Sequence, residues 1–375
     1  MSEPSPLASE IRKMIQSSGP MPVWRYMELC LTHPQHGYYV ARDPLGREGD
    51  FITAPEVSQM FGELIGLWSA SVWKAIGSPS VFRLIELGPG RGTMMADALR
   101  ALRVLPPMYQ ALSVHLVDIN PILREQQQAT LQHVRNITWH DNIDEVPAGP
   151  CVILANEYFD VLPVHQVVKR ENGWHERTIE LDADGRLVFG AAPDPMPRFE
   201  VLLPPLVRAA PVGAVFEWRP DTEIMKLALR VREQNGAALI IDYGHLRSDA
   251  GDTFQAIARH SFVDPLRNPG QADVTAHVDF QALTRAAEDM GVTVHGPVSQ
   301  AEFLRRLGIE TRAARLMAKA SPEVAEDIAV ALKRLIGSGR GGMGSMFKVL
   351  AISAPGLPPL AGFSDEEPDQ PTEPR

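Results

Sequence analysis

Three glycines spaced two apart, Gly88, Gly90 and Gly92, stand directly after the apolar run VFRLIEL, in which Glu86 is the last charged residue. Glycines at a strand-to-helix turn let a ligand approach the backbone closely. The dinucleotide fingerprint is G-x-G-x-x-G. Here the third glycine comes one residue early, and Thr93 stands where the fingerprint requires Gly or Ala. The phosphate loop G-x-x-x-x-G-K-[ST] needs a lysine that this turn lacks. A carboxylate at Glu86 would repel a pyrophosphate and suit a ligand with an ammonium or sulfonium group. S-adenosylmethionine, which has no phosphate and carries a cationic sulfur and amine at one end, is such a ligand. The plainer alternative is a tight turn and nothing more.

Other acids occupy places where such a ligand could be held. Asp118 ends the run VHLVDI and could accept both ribose hydroxyls, as an acid there also does in NAD enzymes. Asp141, after Trp139, could accept the adenine amino group. Glu157 follows Asn156 at the end of the apolar run CVILANE, where the reacting centre belongs. Asp160 is three residues on, Asp242 ends AALIID, and Glu56 belongs to TAPE, a segment that could fold over the cofactor as a lid and bring Thr53 and Pro55 against it. The order of preference for a catalytic carboxylate is Glu157, Asp242, Glu56, Asp160. Each could instead be a helix cap or a structural hydrogen-bond acceptor. His165, His245 and His277 are possible bases or, more plainly, hydrogen-bonded structural histidines, with Asp279 in the same position as His277. Tyr38, Tyr39, Phe51, Tyr158 and Phe159 could cage a cation or pack in the core. No spacing suggests a metal site.

These residues need a scaffold, and the chain supplies one. Its 375 residues are enough for a large core, and 45% hydrophobic with 22% charged residues is the composition of a globular protein. A formal net charge of -10 argues against a general nucleic-acid or anionic-membrane binder and is compatible with a cationic substrate. Two cysteines, Cys30 and Cys151, cannot build a disulfide framework, so a reducing compartment is expected. No apolar run is long enough to span a bilayer. The N-terminus lacks a signal-peptide core and is a poor presequence, which points to the cytoplasm, or to the mitochondrial matrix if a presequence has been left out.

Apolar periodicity predicts strand–helix alternation from VFRLIEL to CVILANE, hence a parallel α/β sheet. VHQVVKRENGW, HERTIELDADGRLVFG and FEVLL read as antiparallel strands of an insert, about 164–215. Residues 245–280 read as loop-rich. EFLRRLGIETRAARLMAKA and PEVAEDIAVALKRLI read as a helical pair inserted at about 300–337, with an ordinary solvated basic face or a partner-docking one. MFKVLAIS closes the sheet. A helical extension with the lid is expected over 1–80, the core over 81–355, and a disordered tail rich in Pro and acids over 356–375. VSQMFGELIGLWSASVWKAIG predicts a long helix whose Gly62 and Gly66 permit close packing.

Together, HPQHGYY (33–39), GDFITAPEVSQMFGELIG (49–66), IELGPGRGTMMADALR (85–100), VHLVDINP (114–121), ANEYFDVLPVHQ (155–166), IIDYGH (240–245) and ADVTAHVDF (272–280) resemble the MidA-like methyltransferases. The glycine motif alone says only methyltransferase-like; GDFITAPEVSQ and NEYFDVLPVHQ are long, unusual and specific. The resemblance implies a Rossmann-like class I methyltransferase sheet with insertions and S-adenosylmethionine as cofactor, held by Glu86, Gly88, Gly90, Gly92 and Asp118. It implies that the segment beside the reacting centre begins at Asn156 and Glu157. Mitochondrial members of this family are protein arginine methyltransferases that assist assembly of respiratory complex I, so an arginine of a complex I subunit is the implied acceptor. A non-catalytic assembly factor of the same fold is one alternative. A nucleotide-dependent oxidoreductase is another, disfavoured by Thr93 and Glu86. Oligomeric state is left open.

Overall fold

The computed structural model describes residues 5–41, 53–258, 261–339 and 341–363. Its centre is a sheet in which Phe82–Leu87, Leu112–Val117, Ile137–His140, Cys151–Asn156 and Ala237–His245 run parallel. In space the order is Thr293–Ser299, Phe347–Ser353, Ala237–His245, Cys151–Asn156, Phe82–Leu87, Leu112–Val117, Ile137–His140. Phe347–Ser353 is antiparallel to both of its neighbours. The chain therefore starts in the middle at Phe82–Leu87, winds outward through two strands, then crosses back to Cys151–Asn156. That reversal opens a crevice at the carboxyl ends of Phe82–Leu87 and Cys151–Asn156, where sheets of this kind bind ligands.

The apolar runs are nearly continuous because both faces of the sheet are covered. Leu84, Leu116, Leu154 and Leu239 belong to one buried layer with Phe61 and Trp68. Ile85, Val117, Ile153 and Ile240 belong to the other, with Leu227 and Leu283. Successive residues of one strand thus feed opposite layers, as the strand repeat of two requires.

The helix Gln59–Ala75 crosses Thr93–Leu102, the helix that follows the glycine turn, at backbone contact. A Cβ on Gly66 would lie 2.7 Å from Ala98 Cα, and one on Gly62 2.6 Å from Asp97 Cβ. The backbone of Ala98 cannot yield, so Gly66→Ala is expected to cost about 1–3 kcal/mol by overpacking, despite alanine's better helix propensity. Urea unfolding of the variant measures this; an unchanged midpoint would mean that the two helices can separate without loss.

An antiparallel sheet is inserted between Asn156 and Ala237: His165–Arg170, Gly173–Leu181, Leu187–Pro195 and Val215–Trp218, with Met21–Pro22 at one edge. FEVLL is not a strand of it. Prolines at Pro197 and Pro205 sit in the first turns of two short helices, Pro197–Glu200 and Pro205–Arg208, and their fixed φ suits a helix start rather than a ladder. The fourth strand is Val215–Trp218 instead. Residues 245–280 also hold more order than their composition suggests, including the small sheet of Gln255–Ala258, Ser261–Val263 and Asp273–Thr275. The helices Pro6–Ser18 and Val23–Thr32 pack on this inserted region, sharing a core with Val164, Ile179, Phe254 and Val274. EFLRRLGIETRAARLMAKA forms two helices, Gln300–Arg306 and Ile309–Met317, ahead of Pro322–Ile336. Buried Glu63 receives Arg312 on both oxygens, at 2.8 and 3.1 Å, and Arg100 at 3.0 Å, which ties Ile309–Met317 to the two crossed helices. Residues 356–363 are packed rather than disordered. Leu360 is buried, the Phe363 ring packs tilted against Phe303, and the Trp68 indole donates to Ala361 O at 3.1 Å. The rest of the tail, 364–375, lies outside the described residues.

Candidate active site

A cavity of about 320 Å³ opens at the carboxyl ends of the parallel strands. Its floor is the glycine turn. Gly88, Gly90 and Gly92 all have positive φ, +60°, +54° and +80°, which a side chain with a Cβ would adopt only under strain. Gly92 caps the helix Thr93–Leu102 and lies behind the cavity wall, while Gly88 and Gly90 line it. A Cβ on Gly88 would meet Tyr158 Cδ2 at 3.4 Å.

Glu86 lines the cavity from the penultimate position of its strand and is only 3% exposed. Burial, and then the charge of Asp118, push its pKa up to about 8. Its Oε2 has no hydrogen-bond partner among the described residues. A buried, unpaired carboxylate is costly, and a cation beside it removes the cost.

Asp118 stands at the next strand end. Its Oδ1 accepts the Asn120 N–H at 2.8 Å and its Oδ2 accepts Gln127 Nε2 at 2.7 Å, which fixes its orientation and leaves lone pairs toward the cavity. Gln127 also donates to Gly90 O at 2.8 Å, and its own Oε1 accepts Trp139 Nε1 at 2.9 Å. One glutamine thereby holds the turn, the acid and the neighbouring strand together. Asp141 lines the outer end, exposed and paired with Arg124 at 2.6 Å.

The segment Thr53–Glu56 faces the turn from the opposite wall. Thr53, Pro55 and Glu56 all line the cavity, and Glu56 Oε1 accepts the Thr93 hydroxyl at 2.6 Å. Thr93, the residue that breaks the dinucleotide fingerprint, is thus the latch for this segment. Glu56 is committed to that bond.

At the inner end, Asn156, Glu157 and Asp160 come together. Glu157 has φ +50°, a left-handed conformation rare outside glycine. Its N–H donates to Ile241 O at 2.9 Å, which holds the strained residue in place. Burial, and then the charge of Asp160, push its carboxyl up to about 8; the Ala54 N–H, Asn156 and Arg334 oppose the shift. Asn156 Oδ1 and Asp160 Oδ1 are buried acceptors without partners among the described residues. The other oxygen of Asp160 accepts the Tyr243 hydroxyl at 2.6 Å. Strain and unsatisfied acceptors concentrated in one corner are features of functional sites.

Asp242 does not belong to this corner, contrary to its second place in the sequence ranking. It is fully buried and outside the cavity wall. Its Oδ2 accepts the N–H groups of Phe159 and Asp160 at 2.9 and 3.1 Å, and its Oδ1 that of Tyr243 at 2.9 Å. The side chain turns back to hold the 157–160 turn. Asp242→Ala would orphan these donors and is expected to destabilise by about 2–4 kcal/mol; chemical denaturation checks it, and a change near zero would contradict the assignment.

The three histidines also lie outside the cavity. His165 is stacked between Trp24 and Trp218, His245 Nδ1 is 2.7 Å from Arg247 O, and His277 meets the edge of Tyr243. Asp279 caps the helix Phe280–Asp289. Of the aromatics, Tyr39 and Tyr158 line the cavity, Tyr38 and Phe159 are buried, and Phe51 falls outside the described residues. Among the described residues no cluster of His, Cys, Asp or Glu could hold a metal.

Several site residues carry no local signal in the sequence. Arg219 donates to the carbonyls of Asp160, Leu162, Ala276 and His277 at 2.8–2.9 Å and clamps the loops behind the acids. Asp273 lines the cavity with the Tyr39 hydroxyl 3.1 Å from its Oδ1. Asn120 could have been found, since Asn before Pro121 is an N-cap pattern.

The cavity fits S-adenosylmethionine on these observations: it offers glycine backbone, an unpaired buried acid for a cation, and a pre-oriented acid for hydroxyls. The comparisons agree. A family model for S-adenosyl-L-methionine-dependent methyltransferases matches residues 64–298. The Drosophila melanogaster protein named "Protein arginine methyltransferase NDUFAF7 homolog, mitochondrial" is 39% identical over 96% of this chain and 87% of its own length. Its Homo sapiens counterpart, "Protein arginine methyltransferase NDUFAF7, mitochondrial", is 36% identical over 93% and 83%. A Burkholderia thailandensis crystal structure bound to S-adenosyl-homocysteine superposes with TM-score 0.83 at 30% identity, covering 98% of this chain and 99% of that one. The chain belongs to the S-adenosylmethionine-dependent methyltransferase family, is an enzyme of that class, and takes S-adenosylmethionine as its cofactor.

Proposed function

We propose that the chain methylates an arginine side chain of a protein, and that the acceptor is a subunit of respiratory complex I. The observation that carries the arginine reading is the corner of Asn156, Glu157 and Asp160, which line the cavity together and bring two carboxyl groups beside two buried acceptors, Asn156 Oδ1 and Asp160 Oδ1, that have no partner among the described residues. The names of the relatives support the same reaction class. The acceptor protein rests on the family resemblance.

When bound, the cofactor supplies an electrophilic methyl on a cationic sulfur. The chain's residues do the rest. Glu86 would hold the ammonium, Asp118 the ribose hydroxyls, and Asp141 the adenine amino group, with Gly88 and Gly90 giving backbone access and Thr53 and Pro55 closing the opposite wall. Glu157 would take the planar guanidinium by two nitrogens and leave the third exposed to the methyl. Guanidinium stays charged, with a pKa above about 12, so it is a weak nucleophile. A carboxylate on two of its nitrogens draws positive charge toward them and restores electron density on the third. Transfer leaves the guanidinium with one proton in excess, which passes to Glu157 from a nitrogen that this carboxylate already holds; its raised pKa suits it to receive one. Asp160, anchored by Tyr243, adds a second acceptor that fixes the plane of the fork. The lid and the buried walls exclude water from the attacking line.

The test is to incubate the purified protein and deuteromethyl-labelled cofactor with complex I subunits from cells lacking the enzyme. Tandem mass spectrometry should find label on an arginine guanidino nitrogen. Label on lysine, on a carboxyl group, or on nothing overturns the arginine reading. Among the described residues no helix is long and apolar enough to cross a membrane, and the relatives are named mitochondrial. The reaction would belong to the mitochondrial matrix or, in a bacterium, to the cytoplasm, compartments in which the free, buried Cys30 and Cys151 stay reduced.

A further inference from the structure

A second cavity, of about 170 Å³, adjoins the first. Phe159, Leu203, Phe216, Ile224 and Leu283 give it apolar walls. Leu162 lines both cavities. The Tyr158 ring belongs to the first, while its hydroxyl donates to Glu223 of the second at 3.0 Å. Arg219, on the wall of the second, grips the carbonyls of Asp160 and Leu162 on the wall of the first. The two spaces are thus separated by a single layer of side chains. An extended peptide advancing ~3.3 Å per residue would cover that distance in a few residues.

The mouth of the second cavity is apolar and open to solvent. Leu202 lines it and is 78% exposed, and its neighbours Val201 and Leu206 are 70% and 72% exposed. Large aliphatic side chains so exposed and so close in sequence mark an interaction surface. The rest of the mouth is polar. Asp221, Glu223 and Arg285 line it, while Asp279 is committed to capping its helix and Arg219 to four carbonyls. The exposed aliphatic mouth, adjoining the acid corner of the first cavity, suits a segment that carries an apolar side chain close to a cationic one.

From these features we propose that the second cavity is the docking subsite for the acceptor protein: it takes an aliphatic or aromatic side chain a few residues from the modified arginine. The subsite rests on the arginine reading for the identity of its occupant. It explains how an acceptor is chosen when the first cavity can recognise only a guanidinium, which every protein displays. Binding of the apolar anchor fixes the register that brings one arginine to Glu157.

The test uses the full chain saturated with S-adenosylhomocysteine and short fluorescent peptides, read by anisotropy. Each peptide has one central arginine in a Gly/Ser background, with a single leucine at successive distances. Leucine at one or two adjacent offsets is expected to tighten binding by at least about tenfold over the background peptide. Leu202→Asp, an exposed change that leaves folding intact, and Ala282→Trp, which fills the cavity, should each remove the gain without altering the background affinity. The subsite is overturned if no offset tightens binding, or if the gain survives both variants. Peptides with lysine or citrulline at the centre separate the two readings. If the leucine gain persists with equal affinity for all three, the subsite stands and the arginine assignment falls.

Discussion

Glu157→Gln is expected to lower methyl transfer by about 10³-fold or more while S-adenosylhomocysteine binding changes by less than about threefold. The substitution is isosteric. It keeps an oxygen for one guanidinium hydrogen bond and loses both the charge and the site for a proton. The loss should therefore fall on kcat more than on KM, because the carboxylate contributes most when charge redistributes in the transition state. Glutamine also keeps the backbone: the left-handed φ of +50° and the bond to Ile241 O are independent of the side-chain charge. Thermal unfolding should therefore stay close to wild type. Asp160→Asn serves as the comparison. Asp160 sits in the same corner but is anchored through Tyr243, so its loss should cost less in rate and more in acceptor affinity. Equal kcat for wild type and Glu157→Gln would remove Glu157 from the mechanism.

The second large effect concerns Glu86 and pH. Its folded-state pKa of about 8 lies above its ordinary 4.5. Between those values the unfolded chain has lost the proton and the folded chain retains it. Stability of the ligand-free protein therefore falls as pH rises from 4.5 to 8 on account of this group. Glu157 adds the same sign over the same range. A ligand ammonium beside Glu86 reverses the preference and favours the carboxylate. Binding of S-adenosylhomocysteine, which carries the ammonium without the sulfonium, should then release protons below pH 8, and its affinity should rise toward pH 8 and level off above it. Calorimetry in buffers of different ionisation enthalpy counts the protons. Glu86→Gln should weaken binding by about 10–100-fold at pH 8 and abolish most of the proton release. An affinity independent of pH in the wild type would mean that no cation sits at Glu86.

The sequence exposed the parts of this site that depend on local rules. The turn at Gly88–Gly92 is readable because positive φ at alternating positions calls for glycine, and Asp118 because strand ends in an alternating fold point at the crevice. Glu157 followed from the same logic, although its strained backbone did not. Asp242 shows where the logic fails: a strand-end acid can turn back and satisfy the N–H groups of a neighbouring turn, and only the tertiary path of 157–160 decides which. Glu56 reads from the sequence as a candidate catalytic acid in a lid segment, but its bond to Thr93 joins residues 37 apart. Arg219 and Gln127 act by linking distant segments, for which a linear pattern has no signature. The apolar content of FEVLL suggests a strand, but the prolines that bracket it favour helix starts over a ladder.

The proposed reaction requires one cofactor orientation: the amino-acid end at Glu86 and the methyl side at Asn156, Glu157 and Asp160. A crystal structure of this chain with S-adenosylhomocysteine tests it most directly. The ligand ammonium is expected within hydrogen-bond distance of Glu86, the ribose on Asp118, and the sulfur facing the Glu157 corner. A sulfur directed toward Asp141, or an ammonium remote from Glu86, would contradict it.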